Sequence, residues 1–148
     1  MAALPEYACA VIADDRGWLL LQLRPAHARA APDQLTCFGG RRERDEDDRA
    51  CLARELTEEL GWSPPATRPV CELWRDRRFI ARFFAATWDG RVPRTEPGHV
   101  AVWAPPSALG GLPLSPWHAL VLAAIAAGRD RVDLAVAPAA PPADPRPR

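Results

Sequence analysis

Residues 40–62 read GRRERDEDDRACLARELTEELGW, and this stretch is the most informative part of the sequence for the fold. From residue 47 to residue 60 its pattern is helical, because leucines recur every four residues at Leu52, Leu56 and Leu60 and so share one face. Gly61 follows directly and can serve as the C-terminal cap. The stretch therefore predicts an amphipathic helix with a defined end.

Three carboxylates form a second stripe on this predicted helix. Glu55, Glu58 and Glu59 fall within an arc of about 100°. Like charges four residues apart destabilise a helix by roughly 0.2–0.5 kcal/mol, so the stripe favours a bound cation. Carboxylate oxygens suit a hard divalent ion, and Arg54 beside them can hold one carboxylate in a bidentate contact. For a bare E-x-x-E-E pattern, an exposed acidic helix face is the alternative interpretation.

The whole stretch resembles the Nudix box, G-x5-E-x7-R-E-U-x-E-E-x-G-U, in which U is a bulky apolar residue. Every constrained position is met, by Gly40, Glu46, Arg54, Glu55, Leu56, Glu58, Glu59, Gly61 and Trp62. The chain thus looks like a MutT-like member of the Nudix hydrolases. The resemblance implies an α/β class fold, an α/β/α sandwich with a mixed sheet. It also implies hydrolysis of a nucleoside diphosphate linked to another moiety.

The resemblance places a metal site on the box. Glu55 and Glu59 match the principal metal ligands, and Glu58 matches an additional one. Gly39, just before the box, matches the residue whose carbonyl completes the site. The implied cofactor is Mg²⁺, with Mn²⁺ possible, and such an ion neutralises a diphosphate and lowers the pKa of a bound water.

Other residues match catalytic or nucleotide-binding positions of the family. Arg54 matches the arginine that orients a ligand glutamate, and Glu46 matches the glutamate that supports the box and a metal-bound water. Arg24 matches an arginine that binds nucleotide phosphates, with a solvated strand-end arginine as the alternative. Glu96 matches a metal ligand or general base, with an ordinary loop glutamate as the alternative. A carboxylate such as Glu58 or Glu96 takes the proton when water attacks phosphorus.

Two departures from the MutT-like pattern flank these matches. Asp45 stands where many members have glycine before the second conserved residue of the box. The lead-in is Cys37-Phe38-Gly39-Gly40 instead of F-P-G-G, which weighs against specificity for an 8-oxoguanine type of base. Neither departure removes a proposed metal ligand.

Outside the box, the chain is predicted to form short strands and one further helix. The strands are expected over residues 7–13, 18–23, 34–38, 70–74, 79–88 and 100–103, and the helix over residues 116–127. This order predicts a mixed sheet with helices packed on its faces. Residues 1–137 form the predicted hydrolase domain, and the Pro- and Ala-rich residues 138–148 are expected to be a disordered tail.

The arginines and histidines outside the box carry weaker signals. Arg75, Arg77 and Arg78 surround a predicted hairpin tip, where they contact either substrate phosphates or solvent. The aromatic residues of the flanking strands are read as core, with stacking on a base as the alternative. The three histidines lack metal-ligand neighbours, and each is read as an ordinary core or surface residue: His27, His99 and His118.

Composition excludes several classes of function. The chain has 19 basic and 19 acidic residues, so no net field attracts nucleic acid polymers or an anionic membrane. All basic residues are arginine, which excludes a catalytic lysine. No apolar run is long enough to span a bilayer, and the first residues do not resemble a secretion signal. We therefore expect a cytoplasmic monomer or homodimer with a small nucleotide as its partner.

The cysteines are expected to be buried thiols. They are widely spaced and fit neither a zinc motif nor a disulfide framework: Cys9, Cys37, Cys51 and Cys71.

Several functions remain open at this point. A Mg²⁺-dependent (d)NTP pyrophosphohydrolase of MutT-like type is the first hypothesis. Hydrolysis of ADP-ribose, of another sugar nucleotide or of a dinucleoside polyphosphate is the alternative within the same chemistry. A non-catalytic nucleotide sensor and an isomerase on the same fold are hypotheses of other classes. The intact box glutamates favour the hydrolase over the sensor.

Overall fold

The computed structural model describes residues 2–134, in which eight strands form one mixed sheet. The strands are β1 (Tyr7–Ala13), β2 (Leu19–Leu23), β3 (Leu35–Thr36), β4 (Phe38–Arg41), β5 (Arg68–Arg75), β6 (Arg78–Thr87), β7 (Val100–Ala104) and β8 (Arg131–Leu134). The helices are α1 (Asp48–Leu60) and α2 (Pro116–Ala126), with a 3-10 turn over Pro106–Gly111. The predicted α/β class is confirmed. The predicted tail, residues 138–148, lies outside the described residues.

The sheet combines parallel and antiparallel pairs. Its strand order is β3-β2-β1-β6-β5-β8, with β4 also paired to β1 and β7 also paired to β2. The β1–β6 and β5–β8 pairs are parallel, and the other pairs are antiparallel. The first strand therefore lies in the middle of the sheet, where both of its sides are covered by other strands.

Alternation along the strands separates two hydrophobic clusters. In β1, Ala8, Ala10 and Ile12 belong to the cluster that contains the leucines of α1, whereas Cys9 belongs to the cluster of α2. Because successive strand side chains point to opposite faces, α1 and α2 cover opposite faces of the sheet. This is the layered arrangement that the sequence predicts.

Both ends of α1 are capped by local sequence. The side chain of Asp47 accepts a hydrogen bond from the backbone N–H of Ala50 at 2.8 Å, as an N-cap residue does. Gly61 adopts φ 59°, and its N–H reaches the carbonyls of Leu56 and Thr57. The predicted C-terminal cap is confirmed, since a left-handed residue at this position is easiest for glycine.

The structure differs from the sequence prediction at two places. The single strand predicted over residues 34–38 is two strands, β3 and β4, and β4 continues through Gly39 and Gly40, which pair with Cys9 and Ala8. Strand β8 was not predicted, because the alternation of charged and apolar residues over Arg131–Leu134 is only four residues long and the strand exists through its pairing with β5. The local sequence pattern therefore predicts neither the pairing of β4 with β1 nor that of β8 with β5.

Two simpler expectations concern the thiols and the membrane. All four cysteines are buried and free, as predicted. Over residues 2–134, neither helix has both the length and the apolar character needed to cross a membrane.

Candidate active site

A cavity of about 500 Å³ connects the acidic face of α1 with the first turn of α2. Its α1 end is lined by β4 and by carboxylates: Gly39, Gly40, Glu55, Glu59 and Glu96. Its α2 end is lined mainly by apolar and aromatic side chains: Leu73, Ile80, Phe83, Trp117 and His118. One cavity thus combines an anionic end with an end suited to a flat apolar group.

Glu59 is the most buried carboxylate of this cavity. Only 7% of the residue is exposed, and one carboxylate oxygen accepts a hydrogen bond from the backbone N–H of Gly39 at 2.9 Å. Burial, followed by the charges of Glu55 and Glu96, raises the pKa of Glu59 to about 8. A group with raised pKa among two like charges has a strong preference for a neighbouring positive charge.

Glu55 packs directly against β4. A side chain at Gly40 would overlap the carboxylate of Glu55, so the strand needs glycine here to leave space for it. Oε1 of Glu55 accepts a hydrogen bond from Nη1 of Arg54 at 3.0 Å. Burial is the main cause of the raised pKa of Glu55, which the Arg54 charge only partly offsets.

Arg54 organises the carboxylates behind the cavity. Its Nε donates to one oxygen of Glu46 at 3.0 Å and its Nη2 to the other at 2.6 Å, and Nη2 also reaches the carbonyl of Arg41. The hydrogen bonds from Arg54 lower the pKa of Glu46 to about 2. Since the same guanidinium holds Glu55, it fixes the position of that carboxylate relative to the box loop.

The residues singled out in the sequence divide into two groups in space. Gly39, Glu55, Glu59, Glu96 and Arg24 line the cavity. Glu46, Arg54 and Glu58 are not among its lining residues.

Glu58 and Arg24 each contact other parts of the protein. The side chain of Glu58 is 54% exposed and lies 3.4 Å from Nη1 of Arg54. Arg24 donates from Nε to the carbonyl of Ala30 at 2.7 Å. The roles assigned to them by resemblance stay predictions.

The carboxylates of the cavity have the donor chemistry that a divalent metal ion requires. In the part of the chain that the structure describes, no three acidic, histidine or cysteine side chains converge as a formed metal centre. Glu55, Glu59 and Glu96 nevertheless face the same cavity, and the charges of Glu55 and Glu96 raise the pKa of Glu59. A divalent cation would relieve this repulsion, and an all-oxygen donor set suits Mg²⁺ or Mn²⁺.

Sequence reasoning missed two polar residues near the site. Gln22 is 1% exposed, and its side chain lies close enough to Glu59 to oppose the rise in the pKa of Glu59. A single polar residue in the apolar strand LLLQL was the available signal for it. His118 lines the cavity, and its Nδ1 accepts a hydrogen bond from the backbone N–H of Cys37 at 3.0 Å. No local signal distinguishes it from the other histidines.

The arginines of the β5–β6 hairpin do not line the cavity. Arg78 pairs with Glu6 at 2.9 Å, and the guanidinium of Arg75 lies 5.6 Å from the centre of the Trp117 ring. The structure therefore favours the interpretation in which this hairpin lies at the surface.

Comparison with known proteins gives one family match and several structural matches. The model of the family described as NUDIX domain matches residues 4–125. The fold is similar to that of the MutT protein from Methanosarcina mazei Go1, with a TM-score of 0.72 and 18% identity over 86% of this chain and 97% of that one. No curated protein matches the sequence.

Two further solved structures are similar. The E. coli ORF135 protein has a TM-score of 0.65 and 30% identity, with 84% of this chain and 89% of that chain covered. The NUDIX domain of NrtR from Shewanella oneidensis, solved in complex with ADP ribose, has a TM-score of 0.62 and 19% identity over 80% of this chain and 83% of that one.

Proposed function

This chain belongs to the Nudix family of hydrolases, and from that premise we propose that it cleaves a phosphoanhydride bond in a nucleoside triphosphate, releasing a monophosphate and pyrophosphate. The observation that carries the proposal is the two-ended cavity. Its carboxylates, Glu55, Glu59 and Glu96, suit a metal-bound polyphosphate, and its apolar end suits one nucleobase. A single apolar end matches a substrate with a single base.

The cavities of the protein favour a nucleoside triphosphate over a dinucleoside polyphosphate as the substrate. A second cavity near the end of α1 is lined by Leu60, Gly61, Arg91, Val92 and Arg94, and this lining offers no aromatic surface for a second base. A sugar nucleotide stays the alternative, because the fold is similar to a NUDIX domain solved with ADP ribose.

Glu55 and Glu59 would hold a divalent ion, with Glu58 and the Gly39 carbonyl as the further ligands suggested by the resemblance. When bound, such an ion supplies charge neutralisation for the polyphosphate and a more acidic water. Hydrogen bonds within the protein hold the two ligand carboxylates in position. Arg54 fixes Glu55, and the N–H of Gly39 fixes Glu59.

The chemistry is a displacement at phosphorus by water. A bond forms between the water oxygen and one phosphorus of the α–β anhydride, and the bond from that phosphorus to the bridging oxygen breaks, so that a monophosphate and pyrophosphate separate. Glu96 is our candidate for the group that accepts the proton of the water, since it lines the cavity and lies close enough to Glu59 to raise its pKa. Arg24, at the same cavity, would contact the phosphates.

A hydrolysis screen tests the proposal. Nucleoside triphosphates (oxidised ones included), sugar nucleotides and dinucleoside polyphosphates are incubated with the protein and Mg²⁺, and the products are separated by chromatography. We expect a monophosphate and pyrophosphate from at least one triphosphate, and no turnover in EDTA. We also expect loss of activity in Glu59→Gln and full activity in Asp45→Asn, which removes an exposed carboxylate of the loop that precedes α1.

Other results of the screen would contradict parts of the proposal. Two monophosphates from a sugar nucleotide would contradict the choice of substrate and leave the site assignment in place. Undiminished turnover by Glu59→Gln would contradict the site assignment. Nucleotide binding without any turnover would indicate a sensor in place of an enzyme.

A further inference from the structure

His118 occupies the α2 end of the cavity with one ring nitrogen already bonded. Its Nδ1 accepts a hydrogen bond from the backbone N–H of Cys37 at 3.0 Å. A ring nitrogen that accepts a hydrogen bond carries no proton, so the neutral ring carries its proton on Nε2. The contact with Cys37 thereby selects one tautomer, in which Nε2–H is a hydrogen-bond donor.

The surroundings of His118 hold this tautomer in place. The ring meets Phe83 edge to face, with the ring centres 5.5 Å apart and an interplanar angle of 78°. Burial, assisted by the charge of Arg24, lowers the pKa of His118 to about 4, so the ring is neutral near pH 7. The donor is therefore fixed in direction, in tautomer and in charge.

Within the described part of the chain, the Nε2 donor of His118 has no protein partner. Among residues 2–134, the hydrogen bond recorded for the His118 ring is the one at Nδ1. The buried side-chain atoms without partners in the same range are Nε of Arg75 and Nδ1 of His99, so Nε2 of His118 is not sealed inside the protein. Since His118 lines the cavity, this donor is available to a ligand there.

The groups around the donor indicate the kind of ligand. Ile80, Phe83 and Trp117 line the same end of the cavity and offer apolar surface to a flat ring. Arg24 also lines the cavity, close enough for its charge to act on His118, and this charge favours a ligand edge that presents acceptors. A planar heterocycle in this space would place its polar edge within reach of one fixed donor. A fixed donor discriminates between ring edges, because an edge that presents another donor leaves both groups unpaired.

We propose that His118 is a specificity residue that recognises the nucleobase, with its Nε2–H donating to a carbonyl oxygen or an unprotonated ring nitrogen of the base. This inference rests on the proposed function, since it presumes that the substrate is a nucleotide. It assigns to His118 no part in the chemistry at phosphorus.

Two substitutions of His118 test the roles of its two ring nitrogens one at a time. In His118→Asn the side-chain oxygen takes the place of Nδ1 and can still accept from Cys37, but the Nε2 donor is lost. In His118→Gln the amide N–H₂ takes the place of Nε2 and the contact at Nδ1 is lost. Leu120→Ala, an exposed change on the same helix, is the matched control.

The measurement is calorimetric binding of the four common nucleoside 5′-monophosphates and of ribose 5-phosphate, in the presence of Mg²⁺. For each nucleotide, the dissociation constant of ribose 5-phosphate divided by that of the nucleoside monophosphate gives the contribution of the base. We expect His118→Asn to reduce this contribution by about five- to tenfold for the preferred base, the loss of one hydrogen bond, with ribose 5-phosphate binding unchanged. His118→Gln should restore it to within about twofold of the wild-type value.

Several results would overturn the proposal. A His118→Asn variant with wild-type base discrimination would contradict it, as would a His118→Gln variant no better than the asparagine variant, because the histidine would then serve only to anchor Cys37. If wild-type protein binds no nucleoside monophosphate more tightly than ribose 5-phosphate, the nucleotide substrate itself is wrong, a result independent of the variants.

A measurement on the unmutated protein covers the case in which a variant does not fold. Heteronuclear NMR of the histidine ring nitrogens identifies the protonated nitrogen directly. We expect Nε2 of His118 to be the protonated one, and its resonance to shift when the preferred monophosphate is added but not when ribose 5-phosphate is added. A proton on Nδ1, or equal shifts with both ligands, would contradict the assignment.

Discussion

At the scale of single residues, Glu59 combines burial with like-charged neighbours. The pKa of about 8 means that its ionised form is disfavoured in the folded protein when no cation is near. At neutral pH the folded protein must therefore hold a proton on this group or accept a buried charge, whereas the unfolded chain does neither. This residue opposes folding in the absence of metal and gains a partner in its presence.

Replacing Glu59 by glutamine should therefore stabilise the metal-free protein. We expect the free energy of unfolding in EDTA at neutral pH to rise by roughly 1–3 kcal/mol, since one pKa unit corresponds to about 1.4 kcal/mol. The amide oxygen of glutamine can still accept from Gly39. Urea unfolding followed by circular dichroism measures the change.

Adding Mg²⁺ should make the wild type more stable than Glu59→Gln, the reverse of their order in EDTA. Only the wild type is expected to gain stability from the ion, because binding to the folded state alone stabilises it. Asp45→Asn should behave as wild type in both buffers. A Glu59→Gln variant that is less stable than wild type in EDTA would contradict this account.

Glu46 has the opposite electrostatic character. Its pKa, lowered to about 2 by Arg54, lies below the ordinary value of 4.5, so the ionised form is favoured by folding. The stabilisation from this pair is complete above the unfolded-state pKa and is lost as the pH falls through the folded-state value. We expect the stability gap between wild type and Glu46→Gln to be constant above about pH 5.5 and to narrow steadily below about pH 4.5.

Unfolding in urea across this pH range measures the gap. The same comparison between wild type and Asp45→Asn, whose carboxylate is exposed, serves as the control. A gap for Glu46→Gln that is the same at every pH would show that the pair with Arg54 contributes nothing through its charge.

At the scale of elements, β4 contains two glycines with different constraints. A side chain at Gly39 would overlap the backbone of Ala8 and Cys9, and its φ of 145° is strained for any other residue. A side chain at Gly40 would overlap only the end of the Glu55 side chain, which can move. One strand therefore has one glycine required by the fold and one required by the position of a carboxylate.

Alanine substitutions should separate these two requirements. Gly39→Ala is expected to lose at least about 2 kcal/mol of unfolding free energy, from backbone overlap and strain. Gly40→Ala is expected to fold with near wild-type stability but to lose at least about tenfold in kcat, because each 1.4 kcal/mol of lost positioning is tenfold in rate. Thermal melts and steady-state kinetics measure the two effects. A stable and fully active Gly40→Ala would contradict the role of Glu55.

How far the sequence predicts an element depends on where its stabilising contacts lie. Helix α1 was predictable because its apolar stripe, its carboxylates and its Gly61 cap are all local features. Strand β8 was not, since its stability comes from parallel pairing with β5 and from Arg131, whose guanidinium lies 4.6 Å from the centre of the Trp74 ring. A parallel pair between strands distant in the chain leaves no local signature.

At the scale of the whole molecule, the candidate site combines segments that are far apart in the chain. The Nudix resemblance pointed to Glu55, Glu59 and Glu96 from sequence alone, and all three line the cavity. The other end of the cavity could not be predicted in the same way. His118 gains its environment from Cys37 and Phe83, two contacts that exist only once the sheet and α2 have packed together.

The boundary of the hydrolase domain stays a prediction. Removal of residues 138–148 should leave the melting temperature and the activity unchanged, because a Pro- and Ala-rich stretch cannot build a core. A chain cut after Gly128 also loses β8, with its contacts to β5, and should melt at a clearly lower temperature. Circular dichroism on both truncated chains measures this. Equal melting temperatures for the two would contradict the contribution of β8.

The central position of β1 has a consequence for synthesis on the ribosome. Strand β6 pairs with β1 in parallel, with Ala81 opposite Tyr7 and Thr87 opposite Ala13. The first strand to be synthesised therefore lacks this partner until a much later part of the chain is available. Until β6 has emerged, the nascent chain can form the β1–β2 hairpin and α1 but leaves one edge of β1 unpaired and apolar. Ribosome-bound chains whose emerged part ends before residue 78 should consequently depend on chaperones for solubility, and those whose emerged part extends beyond residue 87 should depend on them less.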